Sequence, residues 1–121
     1  MNTSQLPFLV EGILIFIAMI FGMLIGKAGK PYGKVKLSIH LFFFVWFSTG
    51  FGFILHGLLK IASPRLIWIP VAIMVVAIVT QFVTGISMMV LKRAENTLPM
   101  AHKISAILLL VADLGAFIIA G

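Results

Sequence analysis

The sequence contains no cysteine, three acidic residues and one tyrosine in a chain of 121 residues. The absence of cysteine excludes disulfides, iron–sulfur ligation by thiolates and thiol chemistry. Charged residues make up 10% of the chain and hydrophobic residues 62%, with a mean hydropathy of +1.23. A soluble domain of this size needs far more polar surface to cover its core. The composition therefore predicts a chain that is embedded in a membrane almost entirely.

Four long apolar stretches follow one another, with short connections between them. They cover residues 6–25, 38–61, 66–91 and 100–120. Each approaches or exceeds the ~20 residues that cross about 30 Å of hydrocarbon as a helix. Backbone groups in lipid need internal hydrogen bonds, and so few segments cannot close a barrel. We therefore predict a single membrane domain over residues 1–121, an all-α integral membrane protein folded as an antiparallel four-transmembrane-helix bundle.

The basic residues are concentrated in two of the three connections. Seven of them lie at the first and third connections: Lys27, Lys30, Lys34, Lys36, Lys92, Arg93 and Lys103. The middle connection has only Lys60 and Arg65. Because loops rich in Lys and Arg stay in the cytoplasm, we expect loops one and three to be cytoplasmic and both termini to lie on the outer side. The net charge of +6 then serves contact with anionic membrane lipids rather than nucleic acid, and we expect the plasma membrane of a bacterium or archaeon.

Five carboxyl or imidazole side chains lie inside the predicted spans, where such groups are costly and usually face the bundle interior. They are Glu11, His40, His56, His102 and Asp113. At about 1.5 Å per residue, His40 and His102 share a level near the predicted cytoplasmic face. Glu11 and His56 lie toward the opposite face, and Asp113 lies nearer the middle. The sequence thus predicts an inner layer of two histidines and a looser outer layer of carboxylates and one histidine.

Helical geometry decides which of these groups can face inward together. At about 100° per residue, His102 and Asp113 are about 20° apart and point to one face of the fourth span. His40 and His56 are about 160° apart, so both cannot face the centre from a regular helix. Either the second span is distorted over residues 48–52, or His56 faces a neighbouring subunit.

Two histidines at one level on different helices form the ligand set of a haem with two axial imidazoles. His40 and His102, on diagonal spans of the predicted bundle, meet this requirement and are the predicted metal ligands. Lys103 at the membrane surface is placed to pair with a haem propionate, while Gly50 and Gly85 leave room for a flat cofactor. The alternative is that both histidines are interfacial, hydrated and singly hydrogen-bonded.

The outer polar group has its own candidate chemistry. Glu11 with His56, joined by Asp113, is a candidate site for a proton, a cation or a quinone headgroup, since histidine titrates near neutral pH. The alternative is a buried polar contact that ties the helices together. The sequence leaves both open.

Residues 80–111, TQFVTGISMMVLKRAENTLPMAHKISAILLLV, resemble a pattern found in several small b-type cytochrome families. There a span ends in Q-x-x-x-G or T-G, a short polar loop follows, and the next span opens with P-x-x-H-K/R/Q-x-x-A/G. The matching residues are Gln81, Thr84, Gly85, Pro99, His102, Lys103 and Ala106. Residues 38–57, SIHLFFFVWFSTGFGFILHG, are similar to haem-binding spans with a histidine near each end.

This resemblance implies that His102, His40 and, at a second site, His56 are haem b ligands. The chain has only three histidines, so a second haem would need a ligand from another chain. The spacing of His40 and His56 also departs from the pattern that stacks two haems on one helix face.

Three functional hypotheses follow from these features. The first is a membrane electron-transfer subunit that binds haem b between the second and fourth spans and exchanges electrons with a membrane quinone or another redox partner. The second is a cofactor-free accessory subunit of a larger membrane complex or homo-oligomer. The third is a small proton-coupled transporter that uses Glu11. A redox carrier or accessory subunit is expected here rather than a stand-alone enzyme.

Overall fold

The structure, a computed structural model, describes residues 3–28, 32–60, 65–90 and 97–121. It contains four long helices: α1 (Leu6–Ala28), α2 (Lys34–Lys60), α3 (Trp68–Val90) and α4 (Thr97–Ala120). A short 3-10 helix, Arg65–Ile67, leads into α3. All four helices are long and apolar enough to cross a membrane, and the described residues contain no strand. The predicted all-α four-helix architecture is confirmed.

The helices differ from the predicted spans mainly at their polar ends. The second span was expected from residue 38, yet α2 begins at Lys34 and includes Lys36. The fourth was expected from residue 100, yet α4 begins at Thr97, with Pro99 in its first turn. Proline is tolerated there because the first amides of a helix have no intrahelical acceptor. Hydropathy marks only the apolar part of each span, whereas the helix itself continues into flanking polar residues.

α1 and α2 form one helical hairpin, and α3 and α4 form the other. α1 joins the two hairpins. It packs against α2 and α4, while α3 packs against α4. The N-terminal turn is tied to the end of α4, since the Ser4 hydroxyl donates to the Ala120 carbonyl at 2.7 Å and the Gln5 amide donates to the Phe117 carbonyl at 3.0 Å. α2 and α3 meet chiefly through Phe44 and Phe82, whose ring centroids are 4.9 Å apart. The α2–α3 side is therefore the least closely packed side of the bundle.

The distribution of polarity is the reverse of that in a soluble bundle. The buried polar side chains are Glu11, Gln81, Thr84, Ser105 and Asp113. Large apolar side chains such as Phe42, Val76 and Ile118 are exposed on the outside, at 61%, 66% and 72%. The bundle also has an apolar core in which Phe47 and Met74 are completely buried. Polar groups inside and apolar groups outside are the pattern that lipid imposes.

Candidate functional site

The two histidines predicted as a pair do meet inside the bundle. The ring centroids of His40 on α2 and His102 on α4 are 6.3 Å apart, with 63° between the ring planes. Both side chains are half-buried. The structure thus brings together two imidazoles from helices that scarcely touch each other elsewhere.

A backbone carbonyl fixes the protonation of the His40 ring. Its Nδ1 lies 2.6 Å from the carbonyl oxygen of Ala18 on α1. A carbonyl oxygen only accepts, so Nδ1 carries the hydrogen. The lone pair of the neutral ring is then on Nε2, which has no hydrogen-bond partner among the described residues.

His102 is held in the same tautomer by a hydroxyl group. The Thr84 hydroxyl donates its one hydrogen to the Thr80 carbonyl oxygen at 2.7 Å, and its oxygen lies 2.8 Å from Nδ1 of His102. The hydroxyl oxygen is therefore the acceptor and Nδ1–H of His102 the donor. Both rings consequently have an anchored Nδ1–H and a free Nε2 lone pair, the state in which histidine binds a metal.

Gln81 braces the turn of α4 that carries His102. Its side-chain amide donates to the backbone carbonyl of His102 and to the hydroxyl of Ser105, both at 2.5 Å. Ser105 in turn donates to the same His102 carbonyl at 3.0 Å. These buried bonds link α3 to α4 directly beneath the imidazole and limit rotation of α4 at this level.

Each imidazole lies against a glycine of the preceding helix. A Cβ atom on Gly22 of α1 would lie 3.0 Å from Cε1 of His40. A Cβ atom on Gly85 of α3 would lie 3.4 Å from Cε1 of His102. The first distance is tighter than a normal contact, so a side chain at position 22 would require the His40 ring to shift by a few tenths of an ångström. The two hairpins therefore share one packing contact, in which a histidine ring of one helix lies against a glycine of the other.

Other residues predicted for the cofactor site lie elsewhere. Gly50 packs against Glu11, not against either histidine ring. Lys103 is exposed at the end of α4 nearest the histidines. His56 is exposed on α2, which is one continuous helix, so the distortion considered for residues 48–52 is not seen. His40 and His56 accordingly point to different faces, and His56 does not approach Glu11 in the bundle interior.

Glu11 and Asp113 form the second polar level. Their side chains are 3% and 1% exposed, and their charges would repel each other. Glu11 of α1 lies against Gly50 of α2, so close that a Cβ atom there would collide with its carboxylate oxygen. Asp113 of α4 lies against Gly12 of α1, where a Cβ atom would be 2.7 Å from Oδ2. Two glycines therefore make the space that these two carboxyl groups occupy.

Gly50→Ala is expected to destabilise the bundle because the added methyl group overlaps the Glu11 carboxylate. Overpacking of this kind costs about 1–3 kcal/mol. Gly52→Ala is the matched control on the same helix, since a Cβ atom there meets nothing within 4 Å. Thermal unfolding of the purified proteins in one detergent should give a lower midpoint for Gly50→Ala and an unchanged or higher one for Gly52→Ala. Equal midpoints would contradict the contact.

Thr84 and Gly85, which contact His102, belong to the pattern in residues 80–111, but the sequence does not identify the groups that hold His40. Ala18 acts through its carbonyl oxygen, which no side-chain pattern reveals. Gly22 stood out only as part of Gly22-x-x-x-Gly26, a common helix-packing spacing. One signal was available: a glycine precedes the inner histidine of each hairpin by 18 and 17 residues, Gly22 before His40 and Gly85 before His102.

The described residues contain no group of three or more acidic or histidine side chains arranged to hold a metal ion. Among the described residues, the imidazole and carboxylate donors at the histidine level are these two imidazoles. No protein-family model, no curated protein and no solved structure matches this chain.

Proposed function

We propose that this protein is a membrane electron-transfer subunit that binds one haem b between α2 and α4, with His40 and His102 as axial ligands. The observation that carries the proposal is the paired state of the two rings: each has its Nδ1–H anchored and its Nε2 free, at one level of the bundle.

The ring separation also suits this ligand set. Histidine nitrogen lies about 2.0–2.1 Å from a bound metal ion, so two imidazoles on opposite sides of one ion have centroids roughly 6 Å apart. The observed separation of His40 and His102 is 6.3 Å. Gly22 and Gly85 allow the two rings to lie directly against α1 and α3.

Two imidazoles favour haem over a bare metal ion. Structural zinc sites in proteins have four protein ligands, and catalytic sites have three. A haem iron instead receives its equatorial nitrogens from the porphyrin and needs only axial side chains. The two histidines brought together in the described bundle match that requirement.

The surrounding residues have defined tasks in this proposal. When bound, haem supplies one-electron exchange. The Ala18 carbonyl and the Thr84 hydroxyl orient the rings and raise the basicity of Nε2. Gln81 and Ser105 hold the α4 turn, and the apolar core beyond it excludes water.

The proposal is tested by a reduced-minus-oxidised visible spectrum of the protein purified after expression with ample haem. We expect sharp reduced bands typical of a haem with two axial histidines. A well-folded, colourless protein under these conditions would reject the haem and favour the accessory-subunit hypothesis.

A further inference from the structure

Glu11 and Asp113 are not used by the proposed haem site. Asp113 is eleven residues from His102 on the same helix, which corresponds to about 16 Å along the axis. Oε2 of Glu11 and Oδ1 of Asp113 are both buried with no hydrogen-bond partner. Two unpartnered carboxyl groups on facing helices are an expensive arrangement inside a membrane and call for a ligand.

The other charged groups of the packed helices do not compensate these carboxyls. No lysine, arginine or histidine forms an ion pair with either carboxyl within the described ranges. On α2, His56 is exposed, and His40 donates to Ala18, two turns of α1 away from Glu11. A ligand of the two carboxyl groups must therefore supply positive charge or a hydrogen-bond donor.

Asp113 also lies at a groove between α1 and α4. The groove has a volume of about 290 Å³ and is lined mainly by aromatic and aliphatic side chains: Phe8, Phe16, Leu110, Leu114 and Phe117. Phe16 and Leu114 are more than half exposed, so the groove opens on the surface that faces lipid. Asp113 is its one ionisable side chain, whereas Glu11 does not line it.

We propose that Glu11 and Asp113 form a proton-binding site within the membrane, and that Asp113 is accessible from the lipid through the α1–α4 groove. A proton is the smallest ligand that removes the repulsion, and a neutral carboxylic acid is the form that hydrocarbon favours. One proton leaves the two groups with a single negative charge, and a second proton leaves them with none. Gly12 and Gly50 keep the space around the two groups free of side chains.

The test compares two carbodiimides on the whole protein in lipid nanodiscs, one lipid-soluble (dicyclohexylcarbodiimide) and one water-soluble. A protonated carboxyl adds across a C=N bond of the reagent: its oxygen bonds to carbon, its proton goes to nitrogen, and the acyl group then migrates to nitrogen. No group leaves, so the mass of the adduct is the mass of the protein plus the mass of the reagent. The chain has three acidic residues, and Glu95, in the polar stretch between the third and fourth spans, is the internal control for the water-soluble reagent.

We expect the lipid-soluble reagent to modify Asp113 in preference to Glu11, and the water-soluble reagent to modify Glu95 alone. Asp113→Asn should lose the modification, and Glu11→Gln should keep it. Infrared spectra should show the carbonyl band of a protonated carboxyl at neutral pH, which Asp113→Asn weakens. Modification of Asp113 by the water-soluble reagent, preferential modification of Glu11, or absence of the infrared band would overturn the proposal. Labelling should be unchanged in His102→Ala, so the outcome is independent of haem.

Discussion

His102→Ala is expected to abolish the reduced haem bands of the purified protein. The substitution removes one of the two Nε2 atoms proposed to bind the iron. It also removes the ring that is hydrogen-bonded to Thr84. Loss of an outer-shell partner alone weakens metal binding about 10–100-fold, and loss of a ligand should weaken it at least as much. His40→Ala should give the same result, because a bis-histidine site needs both rings. The measurement is the reduced-minus-oxidised spectrum at equal protein concentration.

His56→Ala is the matched control for these two variants. It removes a histidine from the same helix as His40, but His56 is exposed and has no contact with the pair. Its spectrum should equal that of the unmodified protein. Haem bands that survive in both His102→Ala and His40→Ala would reject the assigned ligands, and bands lost only in His56→Ala would move the site to the opposite end of α2.

Gly22→Leu is expected to prevent haem binding without removing any ligand. A Cβ atom at this position already lies 3.0 Å from Cε1 of His40, so a larger side chain must displace the ring. Displacement breaks the bond from Nδ1 to the Ala18 carbonyl and changes the position of Nε2. The expected result is a folded protein with little or no haem absorbance, measured by the same difference spectrum and by size-exclusion chromatography.

Gly26→Leu tests whether a large residue at the other glycine of Gly22-x-x-x-Gly26 also prevents haem binding. Gly26 is one turn further along α1, and a Cβ atom there meets nothing within 4 Å. Leucine is also a better helix former than glycine, which is about 0.8–1.0 kcal/mol less favourable than alanine in soluble helices. Gly26→Leu should therefore keep its haem. If both variants lost haem equally, general disruption of helix packing would explain the loss better than the contact between Gly22 and His40.

The number and type of helices could be predicted from the sequence because lipid allows few alternatives. A backbone in hydrocarbon must satisfy its own hydrogen bonds, so each long apolar run had to become a helix. The common level of His40 and His102 followed from the fixed rise of a helix and the short connections. The outward position of His56 followed likewise from its angle to His40, once α2 proved to be continuous.

The neighbours of each polar group could not be obtained in this way. Periodicity gives the level and angle of a residue on its own helix, but it does not fix how each helix is rotated against the others. Glu11 was paired with His56 in the sequence because both lie toward the same end. In the structure α1 and α4 pack so that Glu11 lies with Asp113, and Gly50 lies against Glu11 instead of a cofactor.

By itself, then, the sequence determined a membrane bundle of four helices with two polar levels, since apolar length and helical rise are properties of single segments. Only the tertiary structure decided that both histidines carry an anchored Nδ1–H, that Gly22 and Gly85 seat the two rings, and that Asp113 reaches a groove facing the lipid. Those features depend on contacts between helices. In lipid such contacts are set by close packing of small residues and by a few buried polar bonds, rather than by the hydrophobic pattern of any one span.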